Sequence, residues 1–141
     1  VSKNADELKF TDDPFTAYFK NPVYDIKTNW SLVIKNLCAH DLVFALFTEK
    51  GKFLRSDIVK SGFSATVSQL PGVEMNIRLY AGKFWKRGKE HKAFNVIGGF
   101  TENERYYTLN TRETNGYSIT LDGNAISVLE EITEKDFFKR D

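Results

Sequence analysis

One cysteine, Cys38, is all the thiol chemistry that 141 residues carry. A lone thiol rules out an internal disulfide and a cysteine-built metal site, and it leaves the compartment open. Charge of one sign is equally scarce: 20 Lys and Arg stand against 19 Asp and Glu, a formal net charge of +1. Such a balance provides no overall field to draw in nucleic acid or a membrane surface. No run approaches the roughly 18 apolar residues that span a bilayer. Low-complexity tracts, internal repeats and convincing domain linkers are absent as well. The opening Val1-Ser2-Lys3-Asn4 has neither an apolar signal region nor an initiator Met, which fits a matured secreted chain or one cleaved from a tag.

Aromatic residues are what the chain does have, with 12 Phe, 6 Tyr and 2 Trp. Large rings supply much burial per residue, so one core can hold a domain of this length without disulfides or metals. Residues 1–12 are polar and aperiodic and read as a mobile N-terminal arm, with a single domain over 13–141. Asp12-Asp13-Pro14 resembles a helix start, and Phe15, Tyr18 and Phe19 would share one face of a short helix ended by Asn21-Pro22. From Trp30 the period becomes two, with Trp30, Leu32 and Ile34 inward. Leu42 to Phe47 is apolar on both faces and predicts a central strand. Glu49-Lys50-Gly51 is a turn into Phe53 to Val59, where Leu54, Ser56 and Ile58 are expected on one face. Phe63, Ala65 and Val67 alternate next. In the Leu70-Pro71-Gly72 turn the glycine is expected to take the positive dihedral. Met75, Ile77, Leu79 and Ala81 form the clearest inward face, opposite Glu74, Asn76, Arg78 and Tyr80. The alternation stops at Gly82 and resumes near Arg105. Beyond it come an Asn115-Gly116 turn, Tyr117-Ile119-Leu121, an Asp122-Gly123-Asn124 hairpin signal and a strand over Ile126 to Ile132. Thr133-Glu134-Lys135-Asp136 has the form of a capping box, with Phe137 and Phe138 to dock. The expected fold is all-β: an antiparallel β-sandwich of about seven or eight short strands, with a short N-terminal helix and a short C-terminal helical turn.

Over Asp13 to Phe138 the chain resembles a family of small, uncharacterised β-rich proteins of Bacteroidetes bacteria. The residues that carry the resemblance are Val23-Tyr24, Leu32 to Asn36 with Asp41-Leu42-Val43, Leu54-Arg55 with Ile58, and Lys60-Ser61-Gly62. It continues through Leu70-Pro71-Gly72, Leu79-Tyr80-Ala81-Gly82 with Trp85, Gly98-Gly99-Phe100, Tyr117 to Leu121 and Lys135 to Phe138. These are fold motifs, and the resemblance implies no assigned activity. After Trp85 the chain departs from that pattern, with Lys86-Arg87-Gly88-Lys89 where the family has Asn-Pro. The strand, Leu-Pro-Gly, strand unit is also similar to transthyretin-like accessory modules of bacterial surface proteins, an analogy of fold alone.

The candidate binding site is the stretch from Lys83 to Lys92, read as a loop. Lys83, Lys86, Arg87, Lys89, His91 and Lys92 surround Phe84 and Trp85 in ten residues. Cations interleaved with rings can hold phosphates, stack on bases or sugars, or grip an acidic protein surface. The plainer reading is a solvated tip whose Phe84 and Trp85 fold back onto the domain. Cys38-Ala39-His40-Asp41 has the residue types of Cys–His chemistry, but neighbours in a tight turn rarely converge on one reacting atom. The half-buried thiol of a structural turn is the expectation there. Asp12-Asp13 and Glu130-Glu131 have ordinary capping and solvation roles, and Gly98-Gly99 lacks the context of a phosphate loop. Asn29-Trp30-Ser31 is a glycosylation sequon by pattern only, and Trp30 is expected in the core. No catalytic residue, cofactor or metal is therefore expected. The function expected is a non-enzymatic interaction module for a protein or glycan partner, placed outside the cytoplasm, with a cytoplasmic setting as the alternative; nucleic acid is not the expected partner. A second reading is a structural subunit whose N-terminal arm adds as a strand to a neighbouring copy. A carbohydrate-active or other enzyme ranks last.

Overall fold

A computed structural model describes residues 15–20, 22–24, 27, 30–111 and 118–139. The predicted arm over 1–12, the Asp12-Asp13-Pro14 helix start, Asn21, Asn29, the Asn115-Gly116 turn and Tyr117 lie outside the described residues. Among the described residues the fold is mostly β, with eight strands in two sheets and three short helices. In chain order they are α1 (Thr16–Phe19), β1 (Leu32–Asn36), β2 (Leu42–Thr48), β3 (Phe53–Val59), β4 (Ser64–Val67), β5 (Met75–His91), β6 (Val96–Asn110), β7 (Ser118–Leu121), α2 (Gly123–Ser127), β8 (Glu130–Ile132) and α3 (Glu134–Phe138). One sheet has the order β3-β2-β5-β6-β8 and is antiparallel throughout. The other has the order β4-β1-β7, and its β1/β7 pair is parallel, so the expectation of an antiparallel fold fails at that pair.

Two apolar clusters flank the larger sheet. Leu42, Phe44 and Leu46 of β2 and Ile77, Leu79 and Ala81 of β5 join Leu32 and Ile34 of β1 and Ile119 and Leu121 of β7 in the first. Val43, Ala45 and Phe47 point the opposite way, into an aromatic cluster with Tyr80, Tyr106, Phe15, Phe19, Phe137 and Phe138. β2 is therefore buried on both faces, as its unbroken apolar run predicts. The second face of β5 is buried too, contrary to expectation: Tyr80 is 0% exposed because α1 and α3 lie over it. Arg78 also turns inward. Its Nη1 donates to the carbonyls of Phe137 and Lys139 at 2.8 and 2.6 Å, and its guanidinium sits 3.6 Å from the centre of the Phe47 ring. A cation expected to face outward thus closes the carbonyl end of α3 and ties that helix to the sheet.

Several local expectations give way for identifiable reasons. Leu46 pairs with Arg55 while Phe47 pairs with Phe53, so one extra residue is accommodated near Leu54. That bulge puts Leu54 in the inter-sheet cluster and Ile58 in the aromatic one, and the face they were expected to share is split. Gly72 does not take a positive φ; Gln69 does, at 57°. Gly72 leaves room for the indole, since a Cβ there would lie 2.9 Å from Trp30 Nε1 and would make that ring shift. Trp30 itself is 39% exposed, outside the core, and Phe63 is exposed as well. Asp122 does not open a hairpin but caps α2, accepting from Ala125 N at 2.7 Å, so the strand expected from Ile126 shrinks to Glu130–Ile132.

The capping box at α3 forms as its sequence predicts. Asp136 N donates to Thr133 Oγ1 at 3.1 Å, and Thr133 N donates to Asp136 Oδ2 at 3.2 Å. The Thr133 backbone and side-chain bonds hold the Asp136 carboxyl below its ordinary value of 3.8. A carboxyl whose folded pKa is depressed stabilises the fold fully above its unfolded pKa, and that stabilisation fades as pH falls through the folded value. The cap should therefore loosen on acidification below about pH 3.8. Amide exchange in α3 should accelerate over that window and lose the pH dependence in Asp136→Asn. Thr133→Ala should cost about 1 kcal/mol at neutral pH in denaturant titration.

Candidate functional site

β5 and β6 form one long hairpin of 17 and 15 residues, and the predicted loop from Lys83 to Lys92 lies almost wholly in its strands. Lys83 pairs with Glu102, Trp85 with Phe100, Lys86 with Gly99 and His91 with Val96. A 3₁₀ turn over Lys92–Phe94 closes the end. β2 pairs with β5 only as far as Ala81, and β8 pairs with β6 only over Tyr106 to Thr108. Among the described residues, the outer half of the hairpin is thus a two-stranded ribbon that outruns both neighbours. Its two-residue period is broken by register shifts between Ala81 and Lys83 and between Lys86 and Glu90. Phe84 and Asn103 take φ of 59° and 54° at the first break. Gly82 is needed there, because a Cβ would lie 2.5 Å from Phe100 Cβ. These breaks hid the strand from a reading based on alternation.

The ribbon separates the predicted binding residues into two groups. Trp85 is 5% exposed and stands edge-on to Phe100 at 5.2 Å, and His91 is 2% exposed. Phe84 is half-buried. Lys83, Arg87 and Lys92 are exposed and Lys86 half-exposed. Lys89 turns to Glu104: its ammonium pairs with Glu104 Oε1 and donates to Phe100 O at 2.6 Å.

Below the ribbon lies a polar cluster that sequence reading missed. Tyr80 Oη donates to Glu104 Oε2 at 2.6 Å and accepts from Phe100 N at 2.7 Å. Tyr106 stacks on Tyr80 at 4.8 Å, and its hydroxyl lies 3.4 Å from Glu104 Oε2 and 3.3 Å from Glu134 Oε2. His91 Nε2 lies 2.9 Å from Gly98 O, and Nδ1 lies 3.4 Å from Glu134 Oε2. Burial, then the hydrogen bond to Glu104, pushes the Tyr80 phenol far above its ordinary range. Burial, followed by the Glu104 and Glu134 charges, does the same to Tyr106. Both phenols therefore stay neutral donors wherever the fold persists. The one legible signal was Gly98-Gly99. Gly98 takes φ 111°, and a Cβ on Gly99 would lie 2.7 Å from His91 Nε2 and 2.8 Å from Tyr80 Oη.

The Cys38 turn is built for rigidity. Buried Asn36 donates to His40 O at 2.8 Å and Val59 O at 2.9 Å, and accepts from Cys38 N at 2.9 Å. The Cys38 thiol donates to Leu121 O at 3.5 Å; burial and then the Asp122 charge push it up, away from the thiolate a nucleophile needs. Cys38 and His40 both line a cleft of about 610 Å³ with Tyr107 and Arg105. Among the described residues, no hydrogen bond joins the Cys38 thiol to His40.

The cluster predicts how substitutions behave. Tyr80→Phe leaves the Phe100 N–H without its acceptor and should cost about 1–3 kcal/mol in denaturant titration. Gly99→Ala should destabilise at least as much, since neither the His91 ring nor the Tyr80 hydroxyl has room to retreat.

Comparison of the chain with protein-family profiles, with curated proteins and with solved structures finds no match in any of the three.

Proposed function

We propose that this chain is a non-enzymatic interaction module, a β-sandwich whose β5–β6 ribbon presents cations to an acidic protein or glycan partner. The sandwich reading is supported by the apolar cluster that residues of both sheets share. The observation that carries the functional reading is the sorting of side chains along the ribbon. Trp85 and His91 turn into the aromatic layer, while Lys83, Lys86, Arg87 and Lys92 remain at or near the surface of a two-stranded projection. Lysines also guard exposed sheet edges against other strands, which favours a partner that reads charge over one that adds a strand. The stretch that reads as a basic loop thus acts as a stiff cationic finger. Lys89 belongs to its foundation through Glu104, and Trp85 anchors it against Phe100.

Retention on heparin and on immobilised polyglutamate tests the reading with two defined anionic probes. The chain should bind at least one of them, and binding should weaken as salt screens the charges. The triple variant Lys86→Glu, Arg87→Glu, Lys92→Glu should lose retention, with stability within about 0.5 kcal/mol of the parent. Equal retention by the variant, or no retention by the parent on either probe at low salt, contradicts the proposal.

A further inference from the structure

His91 and Glu104 stand on the two strands of the β5–β6 hairpin and Glu134 opens α3, and their ligand atoms all lie within 4.8 Å of one another. The orientation of His91 is the informative part. A carbonyl oxygen only accepts, so the 2.9 Å contact with Gly98 O assigns the hydrogen to Nε2. Nδ1 is left facing Glu134 Oε2 at 3.4 Å. An imidazole that donates one N–H to a backbone carbonyl and aims its other nitrogen at carboxylates has the arrangement of a metal-ligating histidine. Two ligands about 2.1 Å from a tetrahedral ion are separated by about 3.4 Å, so the Nδ1 to Oε2 spacing fits one edge of such a site.

The carboxylates are held in the same manner. Tyr106 reaches Glu134 Oε2 at 3.3 Å. Tyr80 and Lys89 hold the two oxygens of Glu104, which leaves lone pairs over, since an ionised carboxylate offers about four acceptor sites. Outer hydrogen bonds of this kind fix ligand carboxylates in place. His91 is fully enclosed on its side-chain surface, whereas Glu134 is 41% exposed, so an ion can enter beside Glu134.

We propose that His91 Nδ1, Glu134 Oε2 and a carboxylate oxygen of Glu104 form a binding site for one divalent transition-metal ion of the zinc class, with a further coordination position open to water beside Glu134. One nitrogen and two oxygen ligands suit zinc or manganese better than the all-oxygen sets that magnesium and calcium prefer. Sequence reading assigned no metal, because only the fold brings His91 to Glu104 and Glu134. The site is separate from the cationic face of the ribbon, and the ion would brace the ribbon against α3 from beneath.

Calorimetric titration of the chelator-treated full chain with zinc chloride tests this, with manganese and magnesium chlorides alongside. One zinc ion should bind per chain, and magnesium should bind far more weakly. Glu134→Gln and His91→Gln should each weaken zinc binding at least tenfold, and Tyr106→Phe should weaken it by about tenfold through its outer bond. His40→Gln and Cys38→Ser should bind as the parent does. Because His91 is buried and its variant can fail to fold, the half-exposed Glu134→Gln variant carries the decision. Zinc should raise the melting temperature of the parent and leave that of Glu134→Gln unchanged. No zinc binding by the parent overturns the proposal. Zinc binding that survives Glu134→Gln, or that is lost in His40→Gln or Cys38→Ser, overturns it equally.

Discussion

The Tyr80 hydroxyl does two jobs in a place where water cannot substitute for it. Tyr80 is 0% exposed, donates to Glu104 and accepts from the Phe100 backbone. A buried polar group left unpaired costs more than a made hydrogen bond gains, so each contact constrains the next. Glu104 must stay aimed inward to take the phenol, and Lys89 folds back to pair with it. β6 presents the Phe100 N–H to the tyrosine oxygen at 2.7 Å. The shape of the ribbon follows from this one side chain and the space that Gly99 leaves beside it.

Packing explains why the arrangement sits where it does. β2 and β5 run through the middle of the larger sheet and are buried on both faces, in an apolar cluster shared with residues of β1 and β7 on one side and under a layer of rings on the other. Phe15 meets Tyr80, His91, Phe137 and Phe138 at ring-centre distances of 5.2 to 6.0 Å, mostly edge-on. Each such pair adds about 0.5–1.5 kcal/mol beyond the area it buries. A helix of five residues cannot stand alone, and α3 does not have to: its capping box closes one end, Arg78 closes the other, and two phenylalanines fill the gap between. The ribbon and α3 therefore stabilise each other across Tyr80, Tyr106 and His91.

Much of this was legible in residue order, and the illegible part has a physical cause. The unbroken apolar run of Leu42 to Phe47, the alternation of Met75 to Ala81 and the Thr133–Asp136 box all report local rules that the fold obeys. Leu54 against Ile58, and the stretch from Gly82 to His91, fail for the same reason: a bulge inverts the faces of a strand without altering which residue types occur along it. Arg78 and Tyr80 read as an outward face because their cover, α1 and α3, comes from opposite ends of the chain. His91 and Glu104 meet through the pairing of β5 with β6, and Glu134 joins them because α3 packs beneath that hairpin. No spacing rule could join them, although Gly98-Gly99 marks the point where backbone had to pass close to side chains. In the Lys83–Lys92 stretch, composition revealed the charge but not which residues face inward.

The account depends most on the Tyr80 hydroxyl being locked between Glu104 and the Phe100 amide, so that ribbon and core open together. Residue-resolved hydrogen exchange on the full chain measures this directly. The Phe100 amide should exchange only through global unfolding, at the rate of the β2 amides, even though the Lys92–Phe94 turn nearby exchanges quickly. A Phe100 amide that exchanges as fast as that turn would show the ribbon opening independently of the core, and the account would fail.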